Sequence, residues 1–214
     1  MMRFIYSLTM LRSRGMIIKR YGKDFWKRFG RGSDRLFAYV LKRTPSIGKS
    51  VFSFNYAYAP AYTAWYKTMR KLGMSAKEAD ELMWLMNEKM LLTVPKPFLH
   101  MVVKSYLKSF RRKAAEHEKR QKNGLHPFDW EIAFRNIDDN SFEIDITKCG
   151  FIAFAGRFGA EGMLPGICSV DYMISHYMGN GFRRTMTLGH GDRCCDCHYE
   201  LTGKCPIRPP EGER

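Results

Sequence analysis

The sequence predicts an α+β fold: a basic, mainly helical N-terminal half packed on a small antiparallel sheet module of ββααββ order. Charge divides the chain near residue 122, with 27 Lys and Arg against 8 Asp and Glu before it and 9 against 13 after it. A net +19 therefore meets a net −4. The hydrophobic period changes at the same place, from helical spacing to alternation. All six cysteines lie between Cys149 and Cys205, inside the second part. The expected divisions are a basic helical region at 1–122, an α+β module carrying the site at 123–205, and a frayed tail at 206–214. With 214 residues and 45% apolar content, the chain can bury a core.

The first fifty residues mix Lys and Arg with Phe25, Trp26, Phe29 and Phe37 and are interrupted by Gly22, Gly30, Gly32 and Pro45. They read as one or two short helices with loops, packed on the body or lying on a membrane surface. The aromatics from Phe52 to Tyr66 start at period two and turn helical after Pro60, and core is the reading adopted for them. A helix from Tyr62 to Leu72 stops at Gly73. Ser75 with Glu78 three residues on forms a capping box that opens the next helix, to about Thr93. A further helix is expected from Phe98 to about Lys122, with Leu99, Val103, Leu107 and Phe110 along one side.

After Asn123 and Gly124, Trp130, Ile132 and Phe134, then Phe142, Ile144 and Ile146, alternate with polar residues around a turn at 138–140, which predicts a hairpin. Helices are expected at 149–158 and 167–177, and strands at 182–188 and 194–201 around a turn at 189–192.

Several function classes fall away. No run is long and apolar enough to span a membrane. The apolar stretch Phe4 to Leu11 is short and meets Arg12 and Arg14 without a cleavage site, so a cytoplasmic location is expected. Cys194, Cys195 and Cys197 are too crowded for separated disulfide loops. The basic half carries no nucleic-acid motif, so no specific nucleic acid is expected, only weak polyanion or membrane-surface affinity through residues 1–122. Ser46-Ile-Gly48-Lys49-Ser50 lacks the first glycine and the preceding strand of a phosphate loop.

Chemistry concentrates in the last third. Cys168 and Asp171 stand three apart on a helix and share a face. In a strand, Cys195 and Cys197 share one face and Cys194, Asp196 and His198 the other. Arg183 and Arg184 alternate likewise, so one of them can point inward and offer its planar fork to a carboxylate. Cys149, Cys168-Ser-Val-Asp171-Tyr172, Arg184-Thr-Met-Thr187 and Gly191-Asp192-Arg-Cys-Cys195-Asp196 together resemble the L-2-amino-thiazoline-4-carboxylic acid hydrolase family. The resemblance is strongest over 124–200 and weaker over 56–122. It implies hydrolytic opening of a cyclic amidine on a small carboxylate substrate, towards L-cysteine. Where the family has an aromatic residue after its Cys-Asp pair, this chain has Cys197 and His198.

Hydrolysis at a C=N carbon needs a nucleophile or activated water, a proton donor for the leaving atom, and a cation for the substrate carboxylate. The candidates for catalysis are Cys168, Asp171, Cys195 and Asp196, and for substrate binding Arg184, Cys149 and Asp192. Either Cys168 or Cys195 attacks as a thiolate, or an Asp activates water while the thiols serve packing or binding. A neighbouring carboxylate raises a thiol pKa, which counts against the thiolate. Cys149 reads equally as a buried small hydrophobe, and Asp192 as a turn residue. No cofactor is expected. Zinc or another metal on Cys194, Cys197, His198 and Cys205 is the alternative, as is a small-ligand module without hydrolysis or a peripheral lipid- or nucleic-acid-binding protein.

Overall fold

A computed structural model describes residues 1–212. Glu213 and Arg214, the end of the expected tail, lie outside the described residues. Element α1, Met2–Leu41, is two helices that meet at a kink at Gly22, whose φ of 86° favours glycine. The sequence allowed two helices here, and both are longer than expected. Ile5, Tyr6, Thr9, Met10, Ser13 and Ile17, then Phe29, Ser33, Phe37 and Val40, recur at helical spacing and are buried, so packing overrides the weak propensity of the glycines.

Helix α2 (Ser53–Tyr56) replaces the period-two start expected for the aromatic stretch, and α3 (Ala59–Lys71) follows with Pro60 in its first turn. Tyr56, Tyr62, Trp65 and Tyr66 are buried, as the core reading expected, while Phe54 is exposed. Helix α4 (Ala76–Leu91) opens on the predicted capping box: Ser75 Oγ accepts from Glu78 N–H, and the Glu78 carboxylate accepts from Ser75 N–H. Helix α5 spans Lys96–Gln121.

The second part follows the order ββααββ. Strands β1 (Glu131–Asn136) and β2 (Ser141–Lys148) precede α6 (Gly150–Phe158) and α7 (Leu164–Met178), and then come β3 (Gly181–Arg183) and β4 (Cys195–Glu200). The sheet is antiparallel in the order β1-β2-β4-β3, with Ile144 opposite Cys197 and Ile146 opposite Cys195. One face is apolar, with Ile132, Phe142, Ile144, Phe182, Cys195 and Cys197 buried. The other carries Arg135 paired with Glu143 and Asp145, and His198 paired with Glu143.

Two joins tie the sheet to the helices. The outer edge of β1 is covered by α5, where Gln121 donates to Ile132 C=O and accepts from Ile132 N–H, and Glu118 accepts from Phe134 N–H. Side chains thus replace a missing neighbouring strand. His117 on the same helix meets Trp130 C=O at 2.8 Å. Both large cores draw residues from before and after residue 122. Pro206 to Arg208 of the expected tail are held to the body: Ile207 packs beside Trp84, and Arg208 stacks on the Trp84 ring and pairs with Glu81.

Candidate active site

The strand expected over 182–188 ends at Arg183, and that ending builds the site. At Arg184 the hydroxyl of Tyr172 on α7 replaces the ladder partner, accepting from Arg184 N–H at 3.0 Å and donating to Arg184 C=O at 3.1 Å. At Thr185 and Met186 the replacement is Asp196, whose carboxylate accepts both backbone N–H groups and the Thr185 hydroxyl. The chain leaves the sheet and turns back through a short 3₁₀ turn at Leu188–His190, where Asp192 accepts from Thr187 N–H at 2.8 Å.

This loop brings five of the seven expected residues together. The Arg184 side chain is 2% exposed. Its Nη1 donates to Asp171 Oδ2 at 3.0 Å and its Nη2 to Cys168 C=O at 2.7 Å. Arg183 is exposed, so the alternation expected of the pair holds. Cys149 caps the start of α6 directly after β2, close enough to Cys168 and Cys195 that a charge on either would raise its pKa. Cys195 Sγ accepts from Leu188 N–H at 3.3 Å and touches Thr187 Oγ1 at 3.4 Å. The carboxylates of Asp196 and Asp192 accept from the backbone N–H groups of 185–187. Cys195 and Cys197 are buried on one side of β4, while Asp196 and His198 lie on the other.

Burial raises the pKa of several groups in the cluster. Burial pushes the Cys149 thiol up to about 12. Burial also raises Cys168, against the pull of Arg184 and Thr187, and raises Cys197. Asp171 is raised above the ordinary carboxylate range by burial, with Arg184 opposing. Its side chain nevertheless keeps 35% of its surface open. The result is a carboxylate reachable by water, held by a buried guanidinium and close to Cys168 and Cys197, whose thiols burial pushes up.

Several residues of the site were not singled out for it in the sequence. Tyr172 holds the Arg184 backbone, and its position four residues after Cys168 on one helix face was the available signal. Thr187 ties together Cys195, Asp192 and the turn. Gly189 lies against Cys168, since a Cβ there would stand 2.6 Å from its sulfur. Cys197, read as a metal candidate, lies near Arg184 and Asp171. Tyr62 and Tyr106 feel the Asp171 charge, and nothing local in the sequence marks that proximity. Among the described residues, no group of three or more His, Cys, Asp or Glu side chains is disposed to hold a metal ion. Cys205 is turned instead towards the carbonyls of Tyr172 and Phe182.

Residues 55–199, about two thirds of the chain, match the family described as L-2-amino-thiazoline-4-carboxylic acid hydrolase. The chain belongs to that family. The match takes in all seven candidate residues and excludes α1 altogether. No curated protein matches the chain. Two solved structures of an H-NOX protein from S. oneidensis align at 12% identity each. One, in the Fe(II)NO ligation state, has a TM-score of 0.34 and covers 92% of this chain and 98% of its own. The other, a triple mutant in the Fe(II) state, has a TM-score of 0.30 and covers 94% and 97%.

Proposed function

We propose that the protein is a hydrolase that opens a cyclic amidine, or a related C–N bond in a small carboxylate, by adding water at the amidine carbon. The observation that carries this reading is the Asp171–Arg184 pair. Asp171 is fixed by Arg184 through Oδ2, remains open to water, and has a pKa raised towards the working range of a general base. The family description supplies the reaction class.

Asp171 takes a proton from water as the water oxygen bonds to the amidine carbon. The C=N π pair moves to nitrogen, which takes a proton from the Cys168 thiol; the remaining C–N bond then breaks as the added hydroxyl becomes C=O, and the hydroxyl proton passes to the leaving nitrogen. Asp171 returns its proton to the sulfur through water, which restores both groups. Raised thiol pKa values suit donors and disfavour a thiolate nucleophile. Arg184 acts here as a positioning residue on Asp171, because its guanidinium is already bonded to Asp171 and Cys168 C=O. Asp192 and Asp196 hold the loop that delivers it.

The test is incubation with 2-amino-thiazoline-4-carboxylate, following ring-opened product by NMR. The native protein turns over. Asp171→Asn loses at least about 100-fold and Cys168→Ala about 10-fold, in line with the usual worth of positioned acids and bases. The rate rises with pH as Asp171 loses its proton, above the ordinary Asp range, and falls at alkaline pH as Cys168 loses its own. A trapped thioester-type adduct on Cys168 or Cys195 would replace the water mechanism with a covalent one. Absence of turnover with this and related cyclic amidines would sink the hydrolase reading.

A further inference from the structure

The N-terminal half of α1 carries a feature that neither the fold nor the candidate site uses. Its inner face, Ile5, Tyr6, Thr9, Met10, Ser13 and Ile17, is buried against the body. On the opposite side of the same helix, Met1, Phe4 and Leu11 are 68%, 67% and 68% exposed. Leu8, half-buried, continues that line at spacings of three and four residues, and half-buried Ile18 resumes it seven residues after Leu11, beyond Arg14 and Gly15. An apolar stripe thus runs from Met1 to Ile18 along a surface helix.

Its borders are cationic. Exposed Arg12 and Lys19 follow one side and exposed Arg3 and Arg14 the other, with exposed Arg20 and Lys23 further along. No acidic residue occurs before Asp24. Beside the stripe, Arg12, Gly15, Met16, Lys19, Arg20 and Lys89 line an open groove of about 590 Å³. Arg12 Nε donates to Thr93 at 3.2 Å, and the neighbouring Leu92 adds a further exposed apolar side chain at the end of α4.

The geometry points to this face of α1 as a docking surface for an anionic lipid bilayer, with Phe4 and Leu11 entering the headgroup boundary and the groove beside them taking lipid phosphates. Charge complementarity selects this occupant. A second copy of the chain would bring Arg3, Arg12, Arg14 and Lys19 against their own equivalents with no acid in the segment to offset them. Nucleic acid would satisfy the cations and leave the apolar stripe in water. A flat anionic surface satisfies both, since apolar side chains reach the acyl boundary while Arg and Lys extend to the phosphates. From Phe4 to Ile18 the stripe is about 21 Å long on a helix lying in the surface plane. None of the described helices is long and apolar enough to cross a membrane, so the contact is peripheral.

The experiment is co-sedimentation of the full chain with vesicles of phosphatidylcholine alone or with about one third phosphatidylserine. Binding to the mixed vesicles, at least about 10-fold tighter than to the neutral ones and weakened as NaCl rises from about 0.1 to about 0.5 M, is the expected result. The double variant Phe4→Glu/Leu11→Glu loses that binding at least about 10-fold with an unchanged melting curve, because both positions lie in water. Equal binding by the double variant would reduce the effect to general polyanion affinity and overturn the proposal, as would absence of vesicle binding alongside tight binding to an oligonucleotide. A native dimer that the same variant dissociates, without vesicle binding, would assign the stripe to a second copy instead.

Discussion

The two sides of β4 carry ionic arrangements of similar composition in opposite settings. On the inner side, Asp171 meets an Arg184 that is 2% exposed. On the outer side, Arg135, 46% exposed, reaches Glu143 and Asp145 across β1 and β2. Water screens the outer group and leaves it small net energy, whereas the inner guanidinium has no water to replace a lost partner. The inner side therefore holds geometry at a cost in sensitivity. The outer side holds charge where loss is tolerated.

The largest effect that tests this contrast is Asp171→Ala, which strips a buried guanidinium of its carboxylate and is expected to cost about 2–4 kcal/mol in urea unfolding. Asp171→Asn keeps a hydrogen-bond acceptor and costs less, so a smaller loss with abolished turnover separates stability from chemistry. Tyr172→Phe removes one hydroxyl that serves both backbone groups of Arg184 and is expected to cost about 1–3 kcal/mol.

Asp80 extends the comparison to a half-buried carboxylate with less compensation. Its Oδ1 has no hydrogen bond among the described residues, and burial raises its pKa to about 7 against the opposing charge of Arg70. The folded state holds this proton more tightly than the unfolded one, so Asp80 costs stability as pH rises from about 4 to about 7. Asp80→Asn should therefore stabilise progressively over that window and by a constant amount above it, as read by thermal melts at pH 4, 6 and 8. Arg135→Ala is the smallest effect, below about 1 kcal/mol and reduced further by salt. A loss of several kcal/mol there would break the contrast.

Glu143, lowered by His198 and then Arg135, gives the outer group the opposite pH sign from Asp80. Its folded pKa lies below its unfolded one, so its contribution is present above the unfolded value and fades as pH falls through the folded value.

Much of the candidate site could be read from spacing. Cys168 and Asp171 on one helix face, Cys195 and Cys197 away from Asp196 and His198, and Arg183 and Arg184 on opposite sides all follow from periods of 3.6 and 2. Spacing does not say what a face meets. It does not show, for instance, that Asp196 and Asp192 accept from the backbone N–H groups of 185–187. Tyr172, marked in the sequence only as the end of the Cys168 motif, holds the backbone of Arg184 where β3 ends.

By itself the sequence determined the local periods, the capping box at Ser75, the division of charge, the ββααββ order and the family. Tertiary structure alone decided that α1 continues through Gly15, Gly30 and Gly32, that α5 closes the edge of β1, and that Arg184 binds Asp171. The reason is range. A period or a cap is settled by residues a few positions apart, whereas the Arg184–Asp171 and Gln121–Ile132 contacts join separate elements, and burial, which no local pattern measures, sets their strength.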